Sequence, residues 1–85
     1  MAIECKQFLE MCQKISMLPD GILGIKQNVP DELKVVHNGI VYYPISYQMS
    51  FNKGKPLHKA ILHSLKSNSI ICCRLEDIKK YVKRV

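Results

Sequence analysis

The sequence predicts an α+β domain, a helix packed on an antiparallel meander. Three observations carry this expectation: a helical apolar stripe near the start, an Asn-Gly pair between two β-rich runs, and a long stretch of two-residue alternation after it. At 85 residues, 47% hydrophobic and 24% charged, the chain has the make-up of one ordinary folded domain. A chain of this size buries only roughly 60–65% of the surface its unfolded form exposes, so the core is small.

Residues 3–18 read as the helix. Cys5, Phe8, Leu9, Cys12 and Ile15 recur at three- and four-residue steps, and Lys6, Gln7, Glu10, Gln13 and Lys14 fill the other side. Pro19-Asp20-Gly21 ends it. Ile22, Leu23 and Ile25 suit a short strand, and Asn28-Val29-Pro30-Asp31 a turn.

The centre is the most legible part. Asn38-Gly39 fits the two positive-φ positions of a type I′ hairpin between Leu33–His37 and Ile40–Phe51. A two-residue turn pairs His37 with Ile40, Val36 with Val41, Val35 with Tyr42 and Lys34 with Tyr43. Beyond the turn, Val41, Tyr43, Ile45, Tyr47, Met49 and Phe51 alternate with Pro44, Ser46, Gln48 and Ser50, the pattern of a sheet with one dry face. Val35, Ile40 and Tyr42 make the opposite face apolar as well near the turn. They form a candidate interface unless an element of the chain covers them. Pro44 lacks a ladder donor, so pairing ends or bulges there.

Asn52-Lys53-Gly54-Lys55-Pro56 reads as the next turn. Leu57, Ile61 and Leu65 suit a helix or a strand. The shortness of the segment and the loop-like Lys66-Ser67-Asn68-Ser69 favour a strand. Ser69–Arg74 is a further strand. Leu75, Ile78, Val82 and Val85 have helical spacing, which predicts a short C-terminal helix. The meander thus has three or four strands, with a curled, small-barrel form as the variant.

The apolar runs Ile40–Tyr43 and Ile70–Cys73 are far below the roughly 20 residues of a spanning helix. Charges interrupt the first residues, unlike an export signal. The expectation is a cytoplasmic protein with reduced cysteines and no membrane contact.

Charge is distributed unevenly. The formal net charge is +6. No Asp or Glu occurs between Leu33 and Leu75, where Lys34, Lys53, Lys55, Lys59, Lys66 and Arg74 stand. Lys79 and Lys80 follow in the tail. These eight side chains are the candidate polyanion-binding set, with nucleic acid or an acidic protein as the partner class. The competing explanation is that strands disfavour Asp and Glu and that lysines guard sheet edges. An open edge of the meander would equally serve self-association, giving a homodimer.

No catalytic, cofactor or metal motif is expected. Cys72-Cys73 would point to opposite faces of a strand, and the Cys-x₂₋₄-Cys spacing of zinc sites is missing. A site combining Cys72 or Cys73 with His58 or His63 is the weakest alternative. Gly21-x-x-Gly24 lacks the Lys-Ser/Thr of a phosphate loop. The chain reads as a non-enzymatic binding module.

Overall fold

A computed structural model describes residues 3–83. One helix, α1 (Cys5–Ser16), packs on a five-stranded antiparallel sheet. The strands are β1 (Val35–His37), β2 (Ile40–Asn52), β3 (Lys55–Ser64), β4 (Ile70–Arg74) and β5 (Lys79–Lys80), in the spatial order β4-β3-β2-β1-β5. The sheet is open, so the barrel variant does not form. No helix among the described residues is long and apolar enough to cross a membrane.

The Asn38-Gly39 hairpin forms in the register its sequence dictates, with Val35 opposite Tyr42, Val36 opposite Val41 and His37 opposite Ile40. Asn38 and Gly39 both have positive φ. β1 begins at Val35, so Lys34 has no strand partner across from Tyr43. Instead Asp31–Leu33 is a 3₁₀ turn, and Lys34 Nζ donates to Asp31 Oδ1 at 2.8 Å. The second hairpin is tighter than expected. Lys53 and Gly54 alone form its turn, at φ 52° and 79°, between the paired Asn52 and Lys55.

The 57–66 segment is strand as far as Ser64, with Leu65 and Lys66 in the loop that follows, and it belongs to the longest ladder, β2–β3. This ladder breaks once, between Pro44 and Ser46, leaving Ile45 as a β-bulge. The missing N–H of Pro44 costs no ladder bond. Along β2 the amides of Ile40 and Tyr42 serve β1, so that of residue 44 would point past the end of β1. The bulge also reverses the alternation. Tyr43 opposes His63, whereas Tyr47 opposes Ala60, so the two tyrosines lie on different faces rather than sharing the core side.

Residues directly opposed in an antiparallel pair share a face. The register therefore puts Val35, Tyr42, Pro44, Tyr47, Ala60, Leu62 and Cys73 on one face, and Val36, Val41, Tyr43, Ile61, His63 and Cys72 on the other. α1 packs against β2, with the Cys5 thiol beside the Tyr47 phenol, so it lies over the first face. Its buried stripe is Phe8, Met11 and Ile15. Leu9, expected inside, is 47% exposed, and Met11 takes its place. These side chains meet Val29, Leu33, Val35, Tyr42, Leu62, Leu75 and Ile78 in the core.

Tyr43 is buried from the other side of the chain. The segment after α1 reaches it, and the Lys26 backbone N–H donates to Tyr43 Oη at 3.1 Å. Lys26 Nζ fixes this segment by donating to Leu18 O and by pairing with Asp20, each at 2.8 Å. Ile22–Gly24, read from sequence as part of a strand, is a 3₁₀ turn closed by the Asp20–Lys26 bridge.

The C-terminal helix does not form. Leu75–Asp77 is a single 3₁₀ turn, which suffices to bury Leu75 and Ile78 three residues apart. Lys79 and Lys80 then run extended beside Val36 and Val35. Val82, which a helix would have turned inward, is 77% exposed, and Val85 lies outside the described residues.

Candidate functional site

Beyond Gln48, β2 and β3 continue as a two-stranded arm, because β1 pairs only as far as Tyr42 and β4 only as far as Lys59, opposite Gln48. The molecule is accordingly elongated, 41 Å along its longest axis. Alternation gives the arm two unlike faces. Ser50, Asn52, Lys55 and Leu57 line one of them, with Gln48 and Lys59 at its base, and Lys53 sits at the tip. Met49, Phe51, Pro56 and His58 line the other, with Tyr47 at its base. Met49 is 51% exposed and Phe51 69%. The arm contains no acidic residue.

The eight candidate basic residues therefore divide. Lys53, Lys55 and Lys59 share the arm. Arg74 stands opposite Lys59 on β4, but Glu76 and Asp77 hold it at 3.3 and 3.1 Å. Lys34 is paired with Asp31. Lys66 lies in the β3–β4 loop, at the opposite end of β3 from the arm's tip. Lys79 and Lys80 form the far edge strand, with β1 and β2 between them and β3. Among the described residues Lys53, Lys55 and Lys59 have no acid partner and lie along one ribbon, while Lys79 and Lys80, also without one, lie on the far edge of the sheet.

Val35, Ile40 and Tyr42 are not an open patch. Val35 and Tyr42 are buried, and only Ile40 is exposed. The internal packing of the core supplies the cover, so the expected interface at these residues is corrected. Ile40 with Gly39, Ser64, Leu65 and Lys66 instead lines a shallow cleft of about 350 Å³.

The tandem cysteines diverge as their parity requires. Cys72 is exposed on one face, and Cys73 is half-buried against the core. Burial, then the neighbouring Cys72 and Asp77, push the Cys73 thiol upward. Neither cysteine meets His58 or His63. His63 is engaged by Ser64 O at 2.8 Å and Asn68 Oδ1 at 3.2 Å, and it stacks on Tyr43. No cluster of three metal-ligating side chains occurs among the described residues.

One grouping has no signal in the sequence. His58 Nδ1 is hydrogen-bonded to the Tyr47 hydroxyl and the two rings stack, while Cys5 from α1 borders the same phenol. The hydrogen bond to Cys5 raises the phenol above its ordinary value. These residues adjoin a cleft of about 470 Å³, lined by Ile3, Cys5, Pro56, Leu57, His58 and Leu75 at the base of the arm. A Cys–His nucleophile needs thiol and imidazole in contact with a third group orienting the ring. Here the phenol takes the imidazole, so the trio binds α1 to the arm.

Comparison with protein-family models, with curated proteins and with solved structures gives no match.

Proposed function

We propose that this protein is a non-enzymatic binding module whose β2–β3 arm contacts nucleic acid. The observation that supports the reading is the arm itself: a projecting ribbon, free of acids, with Lys53, Lys55 and Lys59 beside a row of Ser, Gln and Asn. Amide and hydroxyl side chains with lysines are common phosphate and sugar contacts. A two-stranded ribbon also has the width that the major groove of duplex DNA accepts. Phe51, largely uncovered near the tip, offers a ring for stacking on an unpaired base.

The turn at the tip adds weight. The first hairpin uses Asn-Gly, the favoured pair for positive φ. The second has the same backbone but carries lysine at the first position, φ 52°. A residue less suited to its conformation, in the exposed turn at the tip of the arm, is more economically explained by its charge than by its fold.

The test is the salt dependence of binding to a short oligonucleotide, single-stranded and duplex in parallel. Three phosphate contacts correspond to a slope of about −2.7 in log K against log salt for duplex DNA, or a roughly 40-fold loss between about 50 and 200 mM. Lys53→Glu, Lys55→Glu and Lys59→Glu together remove binding, whereas Lys66→Glu leaves it nearly intact. Failure to bind at low salt would sink the reading. Binding that survives the triple change but not the one at Lys66 would move the site off the arm.

A further inference from the structure

The two edges of the sheet are built differently. β5 is Lys79-Lys80, a charged edge of the kind that blocks pairing. β4 is Ile70-Ile71-Cys72-Cys73-Arg74, with Ile70 57% exposed and no charge or proline before its last residue. Apart from its pairing with β3, no strand among the described residues pairs with it.

The register shows which backbone groups of β4 are vacant. Asn52 and Lys55 close a two-residue turn and exchange main-chain bonds, so Lys55, Leu57, Lys59 and Ile61 direct theirs to β2. Ala60 and Leu62 direct theirs to β4, where they oppose Cys73 and Ile71. The amides and carbonyls of Ile70, Cys72 and Arg74 consequently point outward.

We propose that β4 pairs with β4 of a second copy of this chain, antiparallel and two-fold about Cys72. In this register Ile70 opposes Arg74 of the other copy, and Cys72 opposes its own equivalent. All three outward residues then form hydrogen-bonded pairs, six main-chain bonds in total by the geometry of the antiparallel ladder. Charge favours this edge over the other. The two Arg74 side chains stand about 14 Å apart, beyond the Debye length at physiological salt, and each already has its own acids. Pairing β5 with itself would set lysines directly across from lysines. The ladder is short, so the assembly is a concentration-dependent monomer–dimer equilibrium. The two arms, each lying beyond the Arg74 end of its β4, point in opposite directions from one continuous sheet.

Sedimentation equilibrium under reducing conditions tests this, with far-UV circular dichroism as the folding control. Cys72→Pro deletes an outward N–H and no internal ladder bond, and it raises the dimer dissociation constant roughly ten- to hundredfold. Cys72→Lys does the same by setting like charges opposite each other, and it covers the case in which the proline variant fails to fold. In a variant whose other cysteines are serine, diamide accepts two electrons and two protons from two Cys72 thiols. A covalent dimer forms, because directly opposed Cα atoms about 5.5 Å apart suit a disulfide. A wild-type chain that stays monomeric at high concentration overturns the proposal. So does a dimer that neither substitution weakens. Both outcomes are independent of nucleic-acid binding by the arm.

Discussion

Leu62 and Ile61 are neighbours on β3, lose the same three carbons on change to alanine, and lie on opposite faces. The pair is therefore a direct test of the register. Leu62 is fully buried between Pro44 and Ile71 under α1. Removing three carbons there costs about 2.4 kcal/mol in transfer alone, and the cavity raises the total to roughly 3–4. Ile61 is half-buried on the face away from α1, opposite Ser46 and Cys72, where water can fill the space. Its change to alanine costs about 1 kcal/mol. A domain of this length has a total stability of about 4–13 kcal/mol, so the first substitution removes a quarter or more of it. Urea unfolding followed by circular dichroism reads the difference. At a slope near 1 kcal/mol/M, Leu62→Ala lowers the midpoint by roughly 3 M and Ile61→Ala by about 1 M. Equal costs, or the reverse order, would mean that the bulge at Ile45 is misplaced and that the arm presents its other face.

Further outcomes follow from single residues. Gly54→Ala costs about 1 kcal/mol through its positive φ, while Lys53→Asn gains a few tenths and at the same time weakens nucleic-acid binding; thermal melts and oligonucleotide titrations separate the two effects. Burial raises the Cys12 thiol to about 11, so at pH 8 roughly one molecule in a thousand carries its thiolate, and a disulfide reagent labels exposed Cys72 well before Cys12. The same upward shift stabilises the fold fully below the ordinary thiol range and is lost as pH climbs through about 11; Cys12→Ser flattens that alkaline limb. The hydrogen bond from Lys34 holds the Asp31 carboxyl below its usual value, so its contribution is present above the ordinary carboxylate range and disappears as pH falls through the lowered one; the gap in melting temperature between wild type and Lys34→Met closes in acid.

Where local chemistry dominates, sequence and structure agree. Asn38-Gly39 sets three cross-strand pairs correctly because its turn leaves one register available. The 57–66 segment resolves as strand up to Ser64 because Lys53-Gly54 is a second turn of the same type, whose conformation a lysine conceals. Agreement fails where a tertiary choice intervenes. Nothing in Pro44-Ile45-Ser46 says that the bulge falls after the proline, and this one residue decides which face Tyr47, Met49 and Phe51 take. Leu9 and Met11 flank the same stripe at comparable spacing, and only the seat of α1 on β2 chooses between them. The spacing of Leu75 and Ile78 serves a single turn as well as a helix, and the exposed backbone of β1 draws the following lysines into the sheet. The grouping of the arm lysines depends on where β1 stops, a length that composition does not encode.

Strands β1 to β4 pair in chain order, each with the next; the seam between β1 and β5 alone joins strands distant in sequence, through two residues on each side. The first four can assemble by short local closures, each fast, with little to search. The last seam closes over some forty intervening residues and has little contact to hold it, so it should form late and reopen first. Amide exchange at Lys79 and Lys80 will then run ahead of exchange at Leu62, and trimming the chain before Lys79 will speed unfolding far more than it slows refolding.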